Sequence, residues 1–401
     1  MNNKILFYHE AYEIGGDSIY LQNLLASFNS DEYIFLLNGS NEAFKFFKNA
    51  GFNTIKLKYF YRHRSVKYIN EHFRWKLVRA VLFRLDFYLL HPFMLFMWPI
   101  RIKRIINKYY PTCSTLVINA GGFPPYLLAP LLKNFNGSKY CILHNHVPDF
   151  ITPEDPLCML FRTYFERWIV GSCVIVKQLK ERCGIPDEKI SMVRYGIPIA
   201  HSFTTEDRMR VREKLGIADD TFVVLHPSVF HERKGHSFTI NGFADFKKNH
   251  ANSKLIIAGN GEDVNYINRT KTLIKDLRLE NDILFTGFYS PIEELVFASD
   301  ALCLPSQEYD TTPFVILTAL AYGIPVITTI RPDFENILND NNAFLVPLNN
   351  AKQITNKLSF IADNPAVAHD IANNGILAFK NYFSFEKMLS ETKKLICGEK
   401  N

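Results

Sequence analysis

Two stretches carry residues whose types and spacing suit phosphate chemistry. In HPSVFHERKGHS, residues 226–237, Arg233 and Lys234 precede a glycine. Such a pair is suited to neutralising a diphosphate, although a solvated loop is the commoner fate of surface charges. In LCLPSQEYDTTPFVILTALAYGIPVITT, residues 302–329, a buried strand is followed by a polar loop with Glu308 and Asp310, a short helix and a second buried strand. Thr312 reads as a helix N-cap and Pro313 as the first helical residue, where a missing N–H leaves nothing unpaired. Gly323 and Pro325 then stop the helix. A helix that opens at the carboxyl end of a buried strand offers backbone N–H groups, here those of Phe314 and Val315 after Pro313, and the positive end of its dipole. The loop is therefore a candidate anion site.

Other strand exits are also of interest. Gly15 and Gly16 precede a helix whose apolar residues include Ile19, Leu21, Leu24 and Leu25. Paired glycines let backbone approach a ligand closely, and a tight turn is an equal explanation. Gly259 and Gly261 form a second close-approach loop after the apolar run 255–258. His144-Asn145-His146 follows a further strand, and His146 is the candidate for positioning hydroxyls near a reacting carbon. A structural histidine is the alternative; a zinc pair is not expected without a third ligand. His226, His231 and His236 recur every five residues, on no common helical face, and read as loop and strand-edge histidines.

The elements that position these residues alternate between strand and helix, the pattern of two doubly wound α/β units. Strands are expected over 4–9, 33–37, 116–120, 139–144, 172–176 and 190–193, then over 222–226, 255–258, 283–286, 301–304, 325–328 and 343–346. Between the sets lies IPIAHSFTTEDRMRVREKLGIADD, polar and helix-forming, which places a domain boundary near residue 200. Open α/β sheets bind ligands at the carboxyl ends of their strands, where all the candidate loops fall.

The chain has 401 residues, a net charge of +6 and seven cysteines without a Cys-x-x-Cys pair. This suits polyanionic small molecules, gives no argument for nucleic acid, and points to reduced thiols in a cytosolic protein. Its start lacks the charged and apolar regions of a signal peptide. Residues 58–108 hold twelve Lys or Arg against Glu71 and Asp86, a local balance of 12 − 2 = +10, interleaved with aromatic residues. The apolar run 87–100 has 14 residues, too few to span a bilayer, which takes about 20. An amphipathic segment lying on an anionic membrane surface is the expectation, and an ordinary helix pair with a basic face is the alternative.

The order and spacing of these signals resemble the retaining GT-B glycosyltransferases of family 4. LIIAGNGED, ILFTGF, ELVFASDALCLPS and FSFEKM are similar to that family's successive C-terminal motifs, and VKQLKERCGIPDEKISMVRYGIPI to its interdomain segment. The resemblance implies a GT-B architecture of two Rossmann-like parallel-sheet domains facing a cleft. The first, 1–200, takes the acceptor, the second, 201–382, takes a nucleotide-sugar, and a C-terminal helix over 383–401 crosses back. It makes Gly15 and Gly16 the loop facing donor phosphate and acceptor, and Lys234 the lysine that neutralises the diphosphate. Ser228 and Val229 stand where the family has a Gly-Arg pair. The family's Glu-x7-Glu motif falls on Asp310, assigned to the transferred sugar, and Thr318, where a ribose-gripping carboxylate is replaced by a hydroxyl. That replacement removes charge-assisted bonds worth on the order of 1–3 kcal/mol. A bond from Thr318 back to the Phe314 carbonyl is the alternative fate of its hydroxyl. Glu308 is placed to share sugar recognition.

The function implied is transfer of a sugar from a nucleoside-diphosphate sugar to a glycan acceptor, expected to be lipid-linked, in surface polysaccharide assembly such as O-antigen or capsule. Front-face attack by the acceptor needs no dedicated base, since the leaving phosphate takes the proton. No Asp-x-Asp occurs, so no metal is expected at the diphosphate, and no other cofactor. The location implied is cytoplasmic, peripheral on the inner face of the plasma membrane. A nucleotide-sugar 2-epimerase of the same architecture and a catalytically silent nucleotide-sugar-binding protein are the other readings.

Overall fold

The structure is a computed structural model that describes residues 4–11, 14–57, 103–104, 107–122, 128–149, 151–199, 202–261, 263–307, 312–334 and 336–398. Nearly all of the basic aromatic segment expected at a membrane, together with Glu308 and Asp310, lies outside the described residues. No helix among the described residues is long and apolar enough to cross a membrane.

The chain divides into two compact units, Met1–Val193 with Leu389–Asn401, and Arg194–Met388. The first is built on a parallel sheet of β1 (Lys4–Ala11), β2 (Tyr33–Gly39), β3 (Thr54–Leu57), β4 (Cys113–Ala120), β5 (Ser138–Leu143), β6 (Arg167–Val170) and β7 (Ile190–Met192), in the order β3-β2-β1-β4-β5-β6-β7. The second unit has β8 (Phe222–Pro227), β9 (Ser253–Ala258), β10 (Ile283–Gly287), β11 (Ala301–Leu304), β12 (Val326–Thr329) and β13 (Phe344–Val346), in the order β10-β9-β8-β11-β12-β13. All described pairings are parallel. Central strands of such sheets are covered on both faces, which is why ILFY in β1, VVL in β8 and ALCL in β11 read as unbroken apolar runs and are buried throughout. Strand order reverses between β1 and β4 and between β8 and β11, so each sheet has one topological switch point.

The helices that matter below are α1 (Gly16–Ala26), α2 (Cys173–Cys183), α3 (Thr205–Lys214), α4 (His236–Lys247), α5 (Phe314–Ala321) and α6 (Phe385–Cys397). The polar segment near residue 200 forms α3, closed at its start by a capping box between Thr204 and Asp207. From Leu389 onward α6 belongs to the first unit, where Thr392 Oγ1 lies 2.8 Å from Tyr20 Oη and Lys393 donates to the Ser27 carbonyl.

Three local expectations are corrected. The run from Ser172 to Val176 is not a strand: Ser172 accepts a hydrogen bond from the Val174 N–H and caps α2, and the buried strand β6 precedes it. A short apolar run cannot be assigned to strand or helix by periodicity, and here the cap decides. The edge strand β3 was not expected, because its four residues carry little burial signal. Helix α5 opens one residue later than expected, with Pro313 as an N-cap in extended backbone and no side-chain cap bond from Thr312, which is buried.

Candidate functional site

In the second unit, β8 runs out into a loop that ends in a tight turn over Glu232–Lys234. His231 opens the turn, accepting from the Arg233 N–H at 3.3 Å, and Gly235 closes it with φ +77°. Gly235 is required twice over, since an added Cβ would lie 2.3 Å from the Pro305 carbonyl oxygen. The Gln307 N–H then donates to the Arg233 carbonyl at 2.7 Å. The turn carrying Arg233 and Lys234 is thus bonded to the loop that leaves β11, across the switch point of the sheet. That second loop is itself anchored, because Thr328 and Thr329 on β12 donate to the carbonyls of Leu304 and Ser306 at 3.1 and 2.8 Å.

The β11 loop leads into α5. The Ile316 N–H returns to the Pro313 carbonyl at 3.0 Å, and, as at any helix start, the N–H groups of Phe314 and Val315 precede the first intrahelical bond. The Phe314 ring, 38% exposed, packs edge-on against Tyr195 at 6.0 Å. Thr318 is buried and its hydroxyl donates to the Phe314 carbonyl at 3.0 Å, so its proton is used within the helix.

The histidines here form a cluster that sequence spacing did not reveal. His226 ends the apolar run of β8 and His236 starts α4; both are fully buried, with ring centres 4.3 Å apart. Ser228 Oγ lies 3.0 Å from His226 Nε2 and 3.3 Å from His236 Nε2, Thr239 Oγ1 lies 2.9 Å from His226 Nδ1, and Phe230 stacks on His236. The serine that replaces the expected glycine therefore has a use inside the protein. Burial holds His226 well below the ordinary imidazole range and brings His236 down to about 4, and the Lys234 ammonium adds to both effects. Both rings are neutral near pH 7, so Arg233 and Lys234 supply the positive charge of this loop. The cluster joins a strand end to a helix start, which no single periodicity describes.

Gly259 and Gly261 pack against the same loop. Added Cβ atoms would lie 2.0 Å from the Ser228 carbonyl oxygen and 2.5 Å from Phe230 Cβ. Two backbones meet there, with Ser228 N–H donating to Ala258 and Phe230 N–H to Asn260. Close approach of protein to protein thus requires a glycine at both positions. Val229 is 52% exposed beside them.

In the first unit, Gly15 is the N-cap of α1 and Gly16 its first residue, at the exit of β1. His146 follows β5, and its Nδ1 lies 3.2 Å from Gln178 Oε1 on α2. The Val147 N–H donates to that same atom at 3.0 Å, which identifies it as the amide oxygen and makes His146 Nδ1 the protonated nitrogen. His144 is buried instead, with Nε2 2.9 Å from Asn119 Oδ1, and burial lowers its pKa to about 3. The two histidines face different partners. Among the described residues no group of three His, Cys, Asp or Glu gathers as a metal site.

Residues 207–377, most of the second unit, match the family model described as Glycosyl transferases group 1. Over those residues the second unit is similar to the group 1 glycosyltransferases. Its anchored turn with Lys234, the β11 loop and the start of α5 all lie within the matched residues. Among curated relatives, an uncharacterized glycosyltransferase of Methanocaldococcus jannaschii is 25% identical over 234 residues, 55% of this chain and 59% of that protein. The alpha-monoglucosyldiacylglycerol synthase of Streptococcus pneumoniae is 29% identical over 136 residues, 34% of this chain and 30% of that protein. The chain thus spans less than two thirds of the length of these relatives. Among solved structures, a glycosyltransferase from Rickettsia africae has a TM-score of 0.77 at 19% identity, covering 100% of both chains. Anabaena HepE in complex with UDP and glucose has a TM-score of 0.73 at 17% identity, covering 98% of this chain and 99% of that one. The two units therefore have the GT-B fold class that the motifs led one to expect.

Proposed function

We propose that this protein is a retaining glycosyltransferase that moves a sugar from a nucleoside-diphosphate sugar to a glycan acceptor, lipid-linked, in surface polysaccharide or glycolipid assembly. The observation that carries the proposal is the hydrogen bond from Gln307 to Arg233. It unites, at the switch point of one sheet, a cationic turn and the loop that opens α5, and so supports a site for a leaving diphosphate. Breaking an anomeric bond puts negative charge on that group, and preorganised donors stabilise such charge best. Lys234 supplies an ammonium, Arg233 a second cation, and the first N–H groups of α5, at Phe314 and Val315, a dipole end. Thr312, Pro313 and Thr318 shape that helix start. Asp310, with Glu308, is assigned to hydroxyls of the transferred sugar. In the first unit Gly15, Gly16 and His146 are assigned to the acceptor side, with His146 bonding a hydroxyl through Nε2.

The membrane part of the reading rests on the charge and aromatic content of residues 58–108 and on relatives named for glycolipid synthesis. The protein then works as a peripheral enzyme on an anionic, cytoplasmic membrane face. Liposome flotation should need anionic lipid and weaken with added salt. Flotation indifferent to lipid charge rejects this part.

The donor is tested by a thermal-shift screen over UDP-, GDP-, ADP- and CMP-sugars, since a ligand that binds the native state raises the apparent melting temperature. A nucleoside-diphosphate sugar should give the largest shift. No shift with any of them would overturn the donor assignment. The anomeric configuration of the product, read by proton NMR, decides whether transfer proceeds with retention.

A further inference from the structure

The switch point of the first sheet, between β1 and β4, holds a buried polar cluster that the motifs do not account for. Asn119, near the end of β4, is fully buried. Its Nδ2 donates to the Asp17 carbonyl in the first turn of α1 at 3.2 Å. Only the amide nitrogen can donate, so this bond fixes the direction of the Asn119 amide, and Oδ1 accepts from His144 Nε2–H at 2.9 Å. His9 pairs with Asn119 across β1 and β4. Its Nδ1 lies 3.0 Å from the Asn119 main-chain oxygen and 3.1 Å from Asn119 Nδ2, and its Nε2 lies 3.0 Å from Ser18 Oγ in the first turn of α1. Either neutral tautomer of His9 therefore finds a partner at both nitrogens.

The same turn is clamped from the β4 exit. A Cβ on Gly121 would lie 2.5 Å from Asp17 Oδ2, and one on Gly15 2.9 Å from Asp17 Oδ1, so this carboxylate sits between two glycine turns. On the far side of His144, Tyr20 packs its ring edge-on at 4.9 Å and reaches Thr392 of α6 with its hydroxyl. Burying this many polar groups has a desolvation cost that an apolar residue at position 119 would avoid. What the polar cluster provides is direction, since hydrogen bonds specify one arrangement where apolar contacts allow several.

We propose that Asn119 is a positioning residue: its amide and its main-chain carbonyl hold the first turn of α1, which follows Gly15 and Gly16, and the segment from His144 to His146 in one fixed arrangement for sugar transfer. The inference rests on the transfer reading above and adds a residue that touches neither donor nor acceptor.

The test compares the full-length protein with Asn119→Leu, close in volume and without polar atoms, and Asn119→Asp, which keeps an acceptor toward His144 and loses the donor to Asp17. Hydrogen exchange by mass spectrometry should quicken about tenfold in peptides covering 14–20 and 143–148 of the leucine variant, and stay at the parent rate elsewhere. Nucleoside diphosphate release from UDP-glucose, or from whichever nucleotide sugar leads the thermal-shift screen, should fall about 100-fold with the donor KM within about twofold. Asn119→Asp should recover part of that turnover, and carries the test if the leucine variant fails to fold. Exchange that is unchanged, exchange that quickens evenly over the whole first unit, or turnover at the parent level in a folded variant each overturns the proposal. A parent protein that turns over no nucleotide sugar overturns the transfer reading instead, and the exchange arm then decides by itself whether Asn119 holds the two segments.

Discussion

The main-chain N–H of Gln307 donates to the carbonyl of Arg233 at 2.7 Å, so the loops leaving β8 and β11 are bonded to each other rather than merely adjacent. Lys234 is held one residue from that bond. Lys234→Ala should weaken binding of the leading nucleotide sugar about 10- to 100-fold, or about 1.4–2.7 kcal/mol, and leave the unliganded melting temperature nearly unchanged. Isothermal titration calorimetry measures the first and a ligand-free melt the second. Undiminished affinity would remove Lys234 from the site.

Gly235 makes the junction possible. Gly235→Ala places a side chain at φ +77° and 2.3 Å from the Pro305 carbonyl oxygen. It should cost about 1–3 kcal/mol of stability in urea unfolding and weaken donor binding as well, because the Lys234 turn must shift. Lost stability with unchanged affinity would separate the turn from the donor.

The buried histidines predict an acid-sensitive fold. His144 and His236, lowered to about 3 and about 4, and His9 and His226, lowered as well, are neutral in the folded protein, chiefly because burial disfavours the charged ring. Unfolded, each binds a proton below about pH 6.5. Their contribution is therefore intact above that pH and is lost as pH falls toward the folded values, at about 1.4 kcal/mol per pH unit for each ring. Urea midpoints should be level from pH 8 to 7 and fall steeply from pH 6 to 4.5, and His236→Asn should reduce the steepness. A flat profile down to pH 4.5 would contradict the burial of these rings.

Thr318 gives a prediction of little change. Its hydroxyl proton goes to the Phe314 carbonyl at 3.0 Å, so Thr318→Val should alter donor affinity by no more than about twofold. A larger loss in calorimetry would restore the hydroxyl to a ribose contact.

The two parallel sheets were legible in the sequence from the repeated alternation of short apolar runs with helix-forming segments, and VVL before HPSVFHERKG and ALCL before PSQ have the unbroken apolar character of strands covered on both faces. The sequence by itself also determined which loops lie at the carboxyl ends, from the glycines, the proline and the cations that follow each run. The tertiary structure decided what periodicity cannot express. It made Ser172 a cap and the residues after it a helix, since a run of four or five apolar residues satisfies either period until its hydrogen bonds are placed. It brought the backbone at Gly259 and Gly261 against the loop from Ser228 to Phe230. It brought His226 to His236 and His9 to Asn119 and His144, contacts between separate strands and helices whose spacing in sequence follows loop length rather than any repeat. Composition and local order fix the elements, and the side chains that only long-range packing brings into hydrogen-bonding distance fix how those elements hold the candidate site.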